Sequence, residues 1–503
     1  MTQREEGPDV GRLERRLGKC MYELATESRL VRAGLKDTSE MSAIIERYAD
    51  LYEPEVVRFA EQAYRSAADT DACERRRRLY LALLDFAMER PIAALRDALA
   101  ERLLRRFVEV DGESINYYAL QPRIAKEPDA DKRDRLFDAL GHAQAEANPA
   151  RQEILATTLS ELCRFGYPDY VGYCSEVKQL DYNRFAENLR PLDQLTSETY
   201  FRSYGALVER TTGRQWPGLR QCHGWYVSSL SQHDAAFTPD RLIESAWATL
   251  RDLGIDPDAL TNIHIDAEDR DKKNPRASCY DADAPREVHL LVRPRGGWSD
   301  YSSFFHELGH ALHFGLTSPR LPFAYRRLAV SNGLTETYAY LFQSLVRNDG
   351  WMTDYLGIAP DIAQEVGRQA WLLDLALLRR YLGKIKYELQ LYQDPLNANR
   401  NSSAYVSILG QITGFSYPAE AYMDDVDPWL YVADYLRAWF GEAQLNGYLT
   451  SHYGNRWYKD PQAGRLLREL WRSGVKMDAE AMLSELGCRP FDIGPLAQRY
   501  EGL

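Results

Sequence analysis

The sequence lacks the features that mark several large classes of protein. No apolar run approaches the ~20 residues that a membrane-spanning helix needs, and no apolar stretch follows the charged N-terminus Met1–Gly7. We therefore expect no membrane partner and no secretory signal. The net charge of −12 offers no basic excess, which nucleic-acid-binding proteins normally carry. We therefore expect no nucleic-acid partner.

Cysteine is scarce and unpaired in its spacing. There are seven cysteines, an odd number, and none forms a CxxC pair (positions 20, 73, 163, 174, 222, 279 and 488). This pattern favours reduced thiols over a disulfide framework or a cysteine-ligated zinc site. The sequence thus predicts a cytoplasmic protein.

Helical periodicity dominates what is present. Apolar residues recur at spacings of three and four, which predicts a mainly α fold. We expect an N-terminal helical region over 1–190 and a catalytic region over 191–503, with a soft boundary near 175–200. The predicted helices are Met41–Arg65, Leu79–Phe107, Asp131–Ala145, Arg151–Phe165, Thr196–Thr212, Thr238–Leu253, Tyr301–Phe314, Leu334–Val346, Asp361–Leu391, Ser403–Thr413, Pro428–Leu449 and Pro461–Ser473.

Three local features refine this picture. Pro91 should begin a new helix or kink one. The basic run Arg75–Arg78 is interpreted as a solvated helix face, with a docking patch as the alternative. The segment Glu287–Arg293 is short, β-branched and bounded by prolines and glycines, so it predicts a strand in a small sheet.

The motif His306-Glu307-Leu308-Gly309-His310 carries the main functional signal. On a helix, positions i and i+4 share one face, so His306 and His310 can converge on one cation. Glu307 then lies beside the metal, where it can accept a proton from a water molecule bound there. The motif predicts one zinc ion with Glu307 as general base.

A catalytic zinc site needs a third protein ligand and one open position. Glu336 is the only acidic residue of the predicted helix Leu334–Val346. A lone carboxylate among apolar and aromatic neighbours is costly unless it is paired or bound to a metal. We therefore predict Glu336 as the third ligand. His313, one turn past His310, is expected to have a packing or supporting role, because a fourth ligand would close the site.

These residues resemble the thimet oligopeptidase and oligoendopeptidase F family of zinc peptidases. The similar segment runs from Lys273 to Phe314 and combines a basic turn, an apolar strand, a glycine turn and a Phe-His-Glu-Leu-Gly-His-Ala-Leu-His helix. In that family the third ligand is a glutamate at a similar distance, and Glu336 lies 26 residues past His310. The resemblance covers roughly residues 260–450. The carboxypeptidase Taq and angiotensin-converting enzyme families are less similar.

The resemblance implies a prolate, multi-helix metallopeptidase fold with a deep central cleft and a small sheet beside the metal helix. It also implies that a short peptide substrate pairs with the edge strand Val288–Val292. His289 of that strand, with Gly296 and Gly297 of the following turn, is then expected to contact the substrate. For His289, an ordinary strand histidine is the alternative.

The family also has tyrosines late in the chain whose hydroxyls face the carbonyl under attack. Tyr431 and Tyr435, one helical turn apart, are the nearest match, and simple packing is the alternative role for each. The sequence departs from the family in having no histidine in the preceding stretch Tyr417–Asp425. The predicted function is a zinc metallopeptidase acting on short oligopeptides. The alternatives are a catalytically retired peptide-binding protein and a zinc hydrolase of a non-peptide amide.

Overall fold

The computed structural model describes residues 9–503 and is mainly helical. The helices up to residue 200 are α1 Val10–Arg32, α2 Met41–Arg47, α3 Pro54–Arg65, α4 Thr70–Leu104, α5 Tyr117–Lys126, α6 Ala130–Arg164, α7 Tyr170–Lys178, α8 Tyr182–Asn188 and α9 Arg190–Thr199. The β-hairpin β1 Phe107–Val110 and β2 Glu113–Asn116 joins α4 to α5. Within residues 9–503, no helix is both long and apolar enough to cross a membrane.

The remainder of the chain surrounds a three-stranded sheet. Its helices are α10 Gly205–Thr212, α11 Gln221–Val227, α12 Arg241–Asp252, α13 Trp298–Leu316, α14 Phe323–Arg327, α15 Gly333–Leu345, α16 Asp349–Trp351, α17 Pro360–Leu391, α18 Ala398–Thr413, α19 Tyr431–Tyr453, α20 Pro461–Arg472, α21 Ala479–Glu485 and α22 Gly494–Tyr500. Its strands are β3 Ile263–Asp266, β4 Ser278–Asp283 and β5 Glu287–Leu291.

The predicted strand is present, but its place in the sheet was wrong. β5 pairs in parallel with β3 on one side and antiparallel with β4 on the other, so it is the central strand. Its apolar residues Val288 and Leu290 are fully buried, which suits an interior position. A peptide therefore cannot add to β5. The edge strand β4 contacts α13, the helix that carries His306 and His310.

Two predicted helix boundaries were wrong for reasons that involve proline. Pro91 lies inside the continuous helix α4, so it does not begin a new helix. Pro149 lies inside α6, which joins two helices predicted separately. Pro54, in contrast, starts α3 at its first turn and divides the stretch predicted as one helix from residue 41 to 65. The predicted helices from residue 238 onward match α12, α13, α15, α17, α18, α19 and α20.

The arginine run at the start of α4 is not a solvated face. Arg77 and Arg78 are buried. Arg77 donates to the backbone carbonyls of Glu176 and Val177, and Arg78 donates to that of Lys476 at 3.1 Å. The run therefore joins α4 to α7 and to the segment after α20, which links the beginning and the end of the chain.

Candidate metal centre

Two glycines allow the helices of the site to approach closely. Gly309 of α13 faces α15, where a Cβ atom would lie 2.5 Å from the Tyr338 carbonyl oxygen. Gly441 of α19 faces Thr337 of α15, and a Cβ atom there would also clash. Since only glycine tolerates such contacts, α15 is held tightly between α13 and α19. The packing brings Glu336 to the histidine face of α13.

The structure brings His306, His310 and Glu336 together. Oε2 of Glu336 lies 3.3 Å from Nε2 of His306 and 3.7 Å from Nε2 of His310. One ligand atom from each residue lies within 4.8 Å of the other two. The side chains are 19%, 12% and 6% exposed, in that order, so the histidines are partly accessible whereas the carboxylate is buried. Such a group could hold one cation with an open position.

Two of the three side chains have the charge state that metal binding needs. Burial lowers the pKa of His310 to about 4, so its imidazole is neutral at pH 7. Burial opposes ionisation of Glu336, but the two histidines and the Tyr431 hydroxyl hold its pKa at about 2. The site thus offers a neutral nitrogen and a carboxylate anion. Burial also lowers the pKa of His306, but the neighbouring Glu336 carboxylate has the larger effect and raises that pKa above its ordinary value.

Gln343 orients the first histidine, and sequence reasoning missed it. Its Oε1 lies 3.0 Å from Nδ1 of His306, while its amide nitrogen donates to Ser302 at 2.9 Å. Because Oε1 can only accept, Nδ1 of His306 is the donor and Nε2 is the atom aimed at Glu336. Gln343 lies seven residues after Glu336, two turns along the same face of α15. That spacing could have identified Gln343 from the sequence as a neighbour of the site.

Glu307 lies beside the ligand group but outside it. Burial raises the pKa of its carboxyl, and the nearby charge of Glu336 acts in the same direction. The His306 imidazole, the backbone N–H of Cys279 and the cationic Arg276 oppose this shift. Since Cys279 belongs to β4, this strand borders the Glu307 carboxyl group. Arg276 also stabilises the ionised form of Tyr435, so this exposed arginine lies near both sides of the site.

The two tyrosines occupy different positions. The Tyr431 hydroxyl donates to Oε1 of Glu336 at 2.7 Å, so it belongs to the ligand group's immediate surroundings. The Tyr435 ring lies 4.8 Å from that of Tyr431 and packs against Tyr381 at 5.2 Å. Burial raises the pKa of both hydroxyls far above the ordinary tyrosine value. Both therefore remain protonated and able to donate at neutral pH.

The segment before Tyr431 is strained. Trp429 and Leu430 have φ angles of 55° and 49°, in the left-handed region that costs a non-glycine residue about 1–2 kcal/mol. The Trp429 ring stacks on Tyr170 at 5.2 Å, and its backbone N–H donates to the Tyr170 hydroxyl. Leu430 is fully buried. These contacts fix the start of α19 and with it the direction of the Tyr431 side chain.

A buried ionic network supports the same two helices and was also missed. Asp434 of α19 is fully buried and accepts hydrogen bonds from Lys178 and from Ser331, each at 2.8 Å. Ser331 lies in the turn that leads into α15, and Lys178 ends α7. Nζ of Lys178 lies 5.8 Å from the Tyr431 ring. The network therefore joins α7 to the turn before α15, which carries Glu336, and to α19, which carries Tyr431.

His289, a predicted substrate contact, is bound to other side chains of the sheet. Nε2 of His289 bonds to Glu287 at 2.8 Å, and its ring stacks on His264 at 4.9 Å. Glu287 in turn accepts from Tyr22 of α1, so this face of the sheet is turned toward α1. His313 is also directed elsewhere, to the Gly474 carbonyl at 3.1 Å, in the packing role expected for it.

The glycine turn has a structural explanation. Gly296 and Gly297 have φ angles of 83° and 96°. A Cβ atom at either position would lie within 3.0 Å of the segment Asp234–Phe237. These glycines therefore shape the turn into α13. Their contact with substrate stays a prediction.

A second cluster of possible ligands is Asp134, Cys222 and His223. It lies among arginines: Arg214 pairs with Asp134 at 2.8 Å, and Nε of Arg133 donates to Nδ1 of His223 at 3.3 Å. Nε2 of His223 bonds to Asp134, so both ring nitrogens are used. The positive surroundings disfavour a cation, and the cluster is a satisfied ionic network.

No protein-family model matches the chain, and none of the curated proteins matches it significantly. The resemblance to zinc oligopeptidases thus rests on the residues of the site and of the segment that leads into it.

Proposed function

We propose that the protein is a zinc-dependent metallopeptidase that hydrolyses peptide bonds in short oligopeptides. One observation carries the proposal. Oε2 of Glu336 is buried between two imidazole nitrogens, yet it has no hydrogen bond of good geometry within residues 9–503. A buried ionised carboxylate oxygen costs several kcal/mol unless it is compensated. A cation among the three atoms would supply that compensation.

The donor set favours zinc. Two imidazole nitrogens and one carboxylate oxygen are the ligands of many catalytic zinc sites, and the His306–Gln343 hydrogen bond supplies the outer partner that such ligands usually have. Bound zinc polarises a carbonyl and lowers the pKa of a coordinated water molecule. Manganese or cobalt could replace zinc in vitro. A cytoplasmic location stays a prediction.

Three surrounding residues are proposed to carry out the remaining steps of hydrolysis. The raised pKa of Glu307 moves this carboxylate toward the range in which it can accept a proton from the attacking water. Glu307 then delivers that proton to the leaving amine. Tyr431 and Tyr435 remain neutral donors, and their hydroxyl groups are proposed to stabilise the negative charge that develops on the carbonyl oxygen. Tyr431 has a single O–H, so it would turn that group from Glu336 to the carbonyl oxygen.

Presentation of the peptide is assigned to β4. Cys279 of β4 lies beside the Glu307 carboxyl group, and β4 is an edge strand of the sheet. An extended peptide added along this edge would pass beside Glu307, and its main chain would be held by strand hydrogen bonds. This assignment replaces the one that relied on β5. The proposed cleft would lie along the same edge.

A mixed-length peptide library with mass-spectrometric detection tests the proposed function. We expect cleavage of internal bonds in short peptides by the zinc-loaded protein and no cleavage after removal of zinc. Binding without cleavage would instead support a retired peptide-binding protein. Neither binding nor cleavage, with zinc present, would favour hydrolysis of a non-peptide amide.

Replacing Tyr431 by Phe tests the role of its hydroxyl. We expect Tyr431→Phe to lower kcat about 10²-fold with little change in KM, because one donor to the developing oxyanion is lost. Zinc content should stay at one ion per chain. Loss of zinc in proportion to activity would show instead that Tyr431 only positions Glu336. Tyr435→Phe, one helical turn away, is the matched variant. An unchanged kcat in that variant would show that Tyr435 does not stabilise the oxyanion.

A further inference from the structure

A large cavity among the described residues lies outside the group formed by His306, His310 and Glu336. It has a volume of about 540 Å³, and its walls include α5, α6, α11, α17, α18 and the segment after α18. None of the three proposed zinc ligands lines it. Its walls are rich in aromatic side chains, among them Phe137, Trp225, Tyr405 and Phe415. A volume of this size holds an organic ligand as large as two aromatic amino-acid residues.

The charged groups of the cavity wall are already paired. Asp425 is bound by Arg380, and it accepts from the Tyr405 hydroxyl at 2.8 Å. Asp424 is bound by Arg151 and accepts from the amide nitrogen of Gln144 at 2.7 Å. The wall therefore carries no uncompensated charge that would call for an ion. A ligand suited to it has an uncharged aromatic or apolar body.

One polar atom of the wall has no partner. Gln144 is 6% exposed, and its Oε1 makes no hydrogen bond within residues 9–503 although it is buried. The orientation of this amide is fixed, because only the nitrogen can donate to the Asp424 carboxylate. An unmatched buried acceptor costs about 1–3 kcal/mol. The acceptor fits an N–H group of a ligand.

The cavity shares a wall with the proposed active site. Arg380 lines the cavity, and the next residue of α17, Tyr381, packs against the Tyr435 ring at 5.2 Å. Asp424 and Asp425 also line the cavity and lie in the segment that leads to Tyr431. A ligand in the cavity is thus separated from the tyrosines by little more than one helix.

We propose that this cavity binds two aromatic or large apolar residues of a peptide, with a backbone N–H donating to Oε1 of Gln144. This inference rests on the proposed function for its choice of a peptide as ligand. It deepens that function by naming the substrates: peptides that carry an aromatic pair at a distance from the scissile bond.

Binding of two capped dipeptides to the full-length protein tests the proposal. The probes are N-acetyl-Phe-Phe-amide and N-acetyl-Ala-Ala-amide, and isothermal titration calorimetry measures Kd with and without zinc. We expect the aromatic probe to bind at least about 10-fold more tightly, since two large apolar side chains are buried. We expect its Kd to be the same without zinc. Two results would overturn the proposal: equal affinities for the two probes, or loss of binding when zinc is removed.

Two variants locate the binding. Leu377 lines the cavity and is 41% exposed, so Leu377→Trp should fill the cavity without disturbing the core. We expect it to abolish binding of the aromatic probe. Gln144→Met should raise its Kd about 3- to 10-fold, as expected for the loss of one hydrogen bond. Leu195→Trp, at a leucine 61% exposed outside the cavity, is the control and should change nothing. Undiminished binding to Leu377→Trp would refute the assignment.

The binding test and the proposed function can fail separately. If the protein neither binds zinc nor cleaves peptides, the dipeptide affinities still decide whether the cavity is a peptide site. If the protein is a peptidase, placing Phe-Phe distant from the scissile bond should lower KM and leave kcat unchanged. That KM advantage should vanish in Leu377→Trp. Its persistence there would assign the aromatic preference to another part of the molecule.

Discussion

Glu307→Gln is expected to retain one zinc ion per chain and to lose about 10³-fold or more in kcat. The amide keeps the size of the side chain but cannot accept a proton, and general-base catalysis contributes about 10²–10⁴-fold. Glu307 is not one of the three residues whose ligand atoms lie together, so its replacement should leave metal binding unaffected. Steady-state kinetics on a cleaved peptide, together with elemental analysis, measures both quantities.

Glu287→Gln is the matched control for this variant. Glu287 is a half-buried glutamate on the side of the sheet that faces α1, where it bonds to His289 and Tyr22. We expect its replacement to leave kcat and zinc content unchanged. If Glu307→Gln were as active as the unaltered protein, Glu307 would not be the base. If it lost its zinc, the lost activity would say nothing about proton transfer.

Glu336→Gln is expected to weaken zinc binding by at least about 100-fold. Even partners outside the ligand sphere change metal affinity 10- to 100-fold, and Glu336 supplies the only anionic atom of the set. The neutral amide also removes the ionised carboxylate whose pKa lies at about 2. Because that lowered pKa means that the fold stabilises the ionised carboxylate at pH 7, the metal-free variant should be less stable than the unaltered metal-free protein.

Thermal unfolding with and without zinc measures this effect. A ligand at 100 times its Kd stabilises the folded state by about 2.7 kcal/mol, so zinc should raise the Tm of the unaltered protein and not that of the variant. Asp134→Asn, in the arginine-lined cluster, is the control and should keep the full zinc-induced shift. An equal zinc-induced shift in Glu336→Gln would exclude Glu336 as a ligand.

The ligand group was largely predictable because it depends on local geometry. The spacing of His306 and His310 on one helix is decided by helical periodicity alone. Glu336 was found because an isolated acid in an apolar helix needs a partner. Gln343 could have been found by the same helical argument, since it lies two turns after Glu336 on the same face.

The arrangement of the sheet was not predictable in this way. The pattern of β5 identified a strand, but its central position depends on pairing with β3 and β4, whose patterns are weak and whose partners are distant in sequence. The burial of Arg77 and Arg78 likewise depends on carbonyl groups of remote segments. The first helix, α1, was missed because its charged residues obscure the short buried series of Leu13, Leu17 and Cys20.

The cavity beside α17 also has no local signature. Its lining residues come from helices and loops that are far apart in the sequence, and no spacing relates Gln144 to Trp225 or Leu377. The missing hydrogen bond of Gln144 Oε1 can be recognised only from the three-dimensional structure.

Anomalous diffraction at the zinc absorption edge, from crystals of the zinc-loaded protein, tests the central claim most directly. The account predicts one strong peak per chain, about 2 Å from Nε2 of His306, Nε2 of His310 and an oxygen of Glu336. A peak at Asp134, Cys222 and His223 instead, or no peak at either cluster, would contradict it.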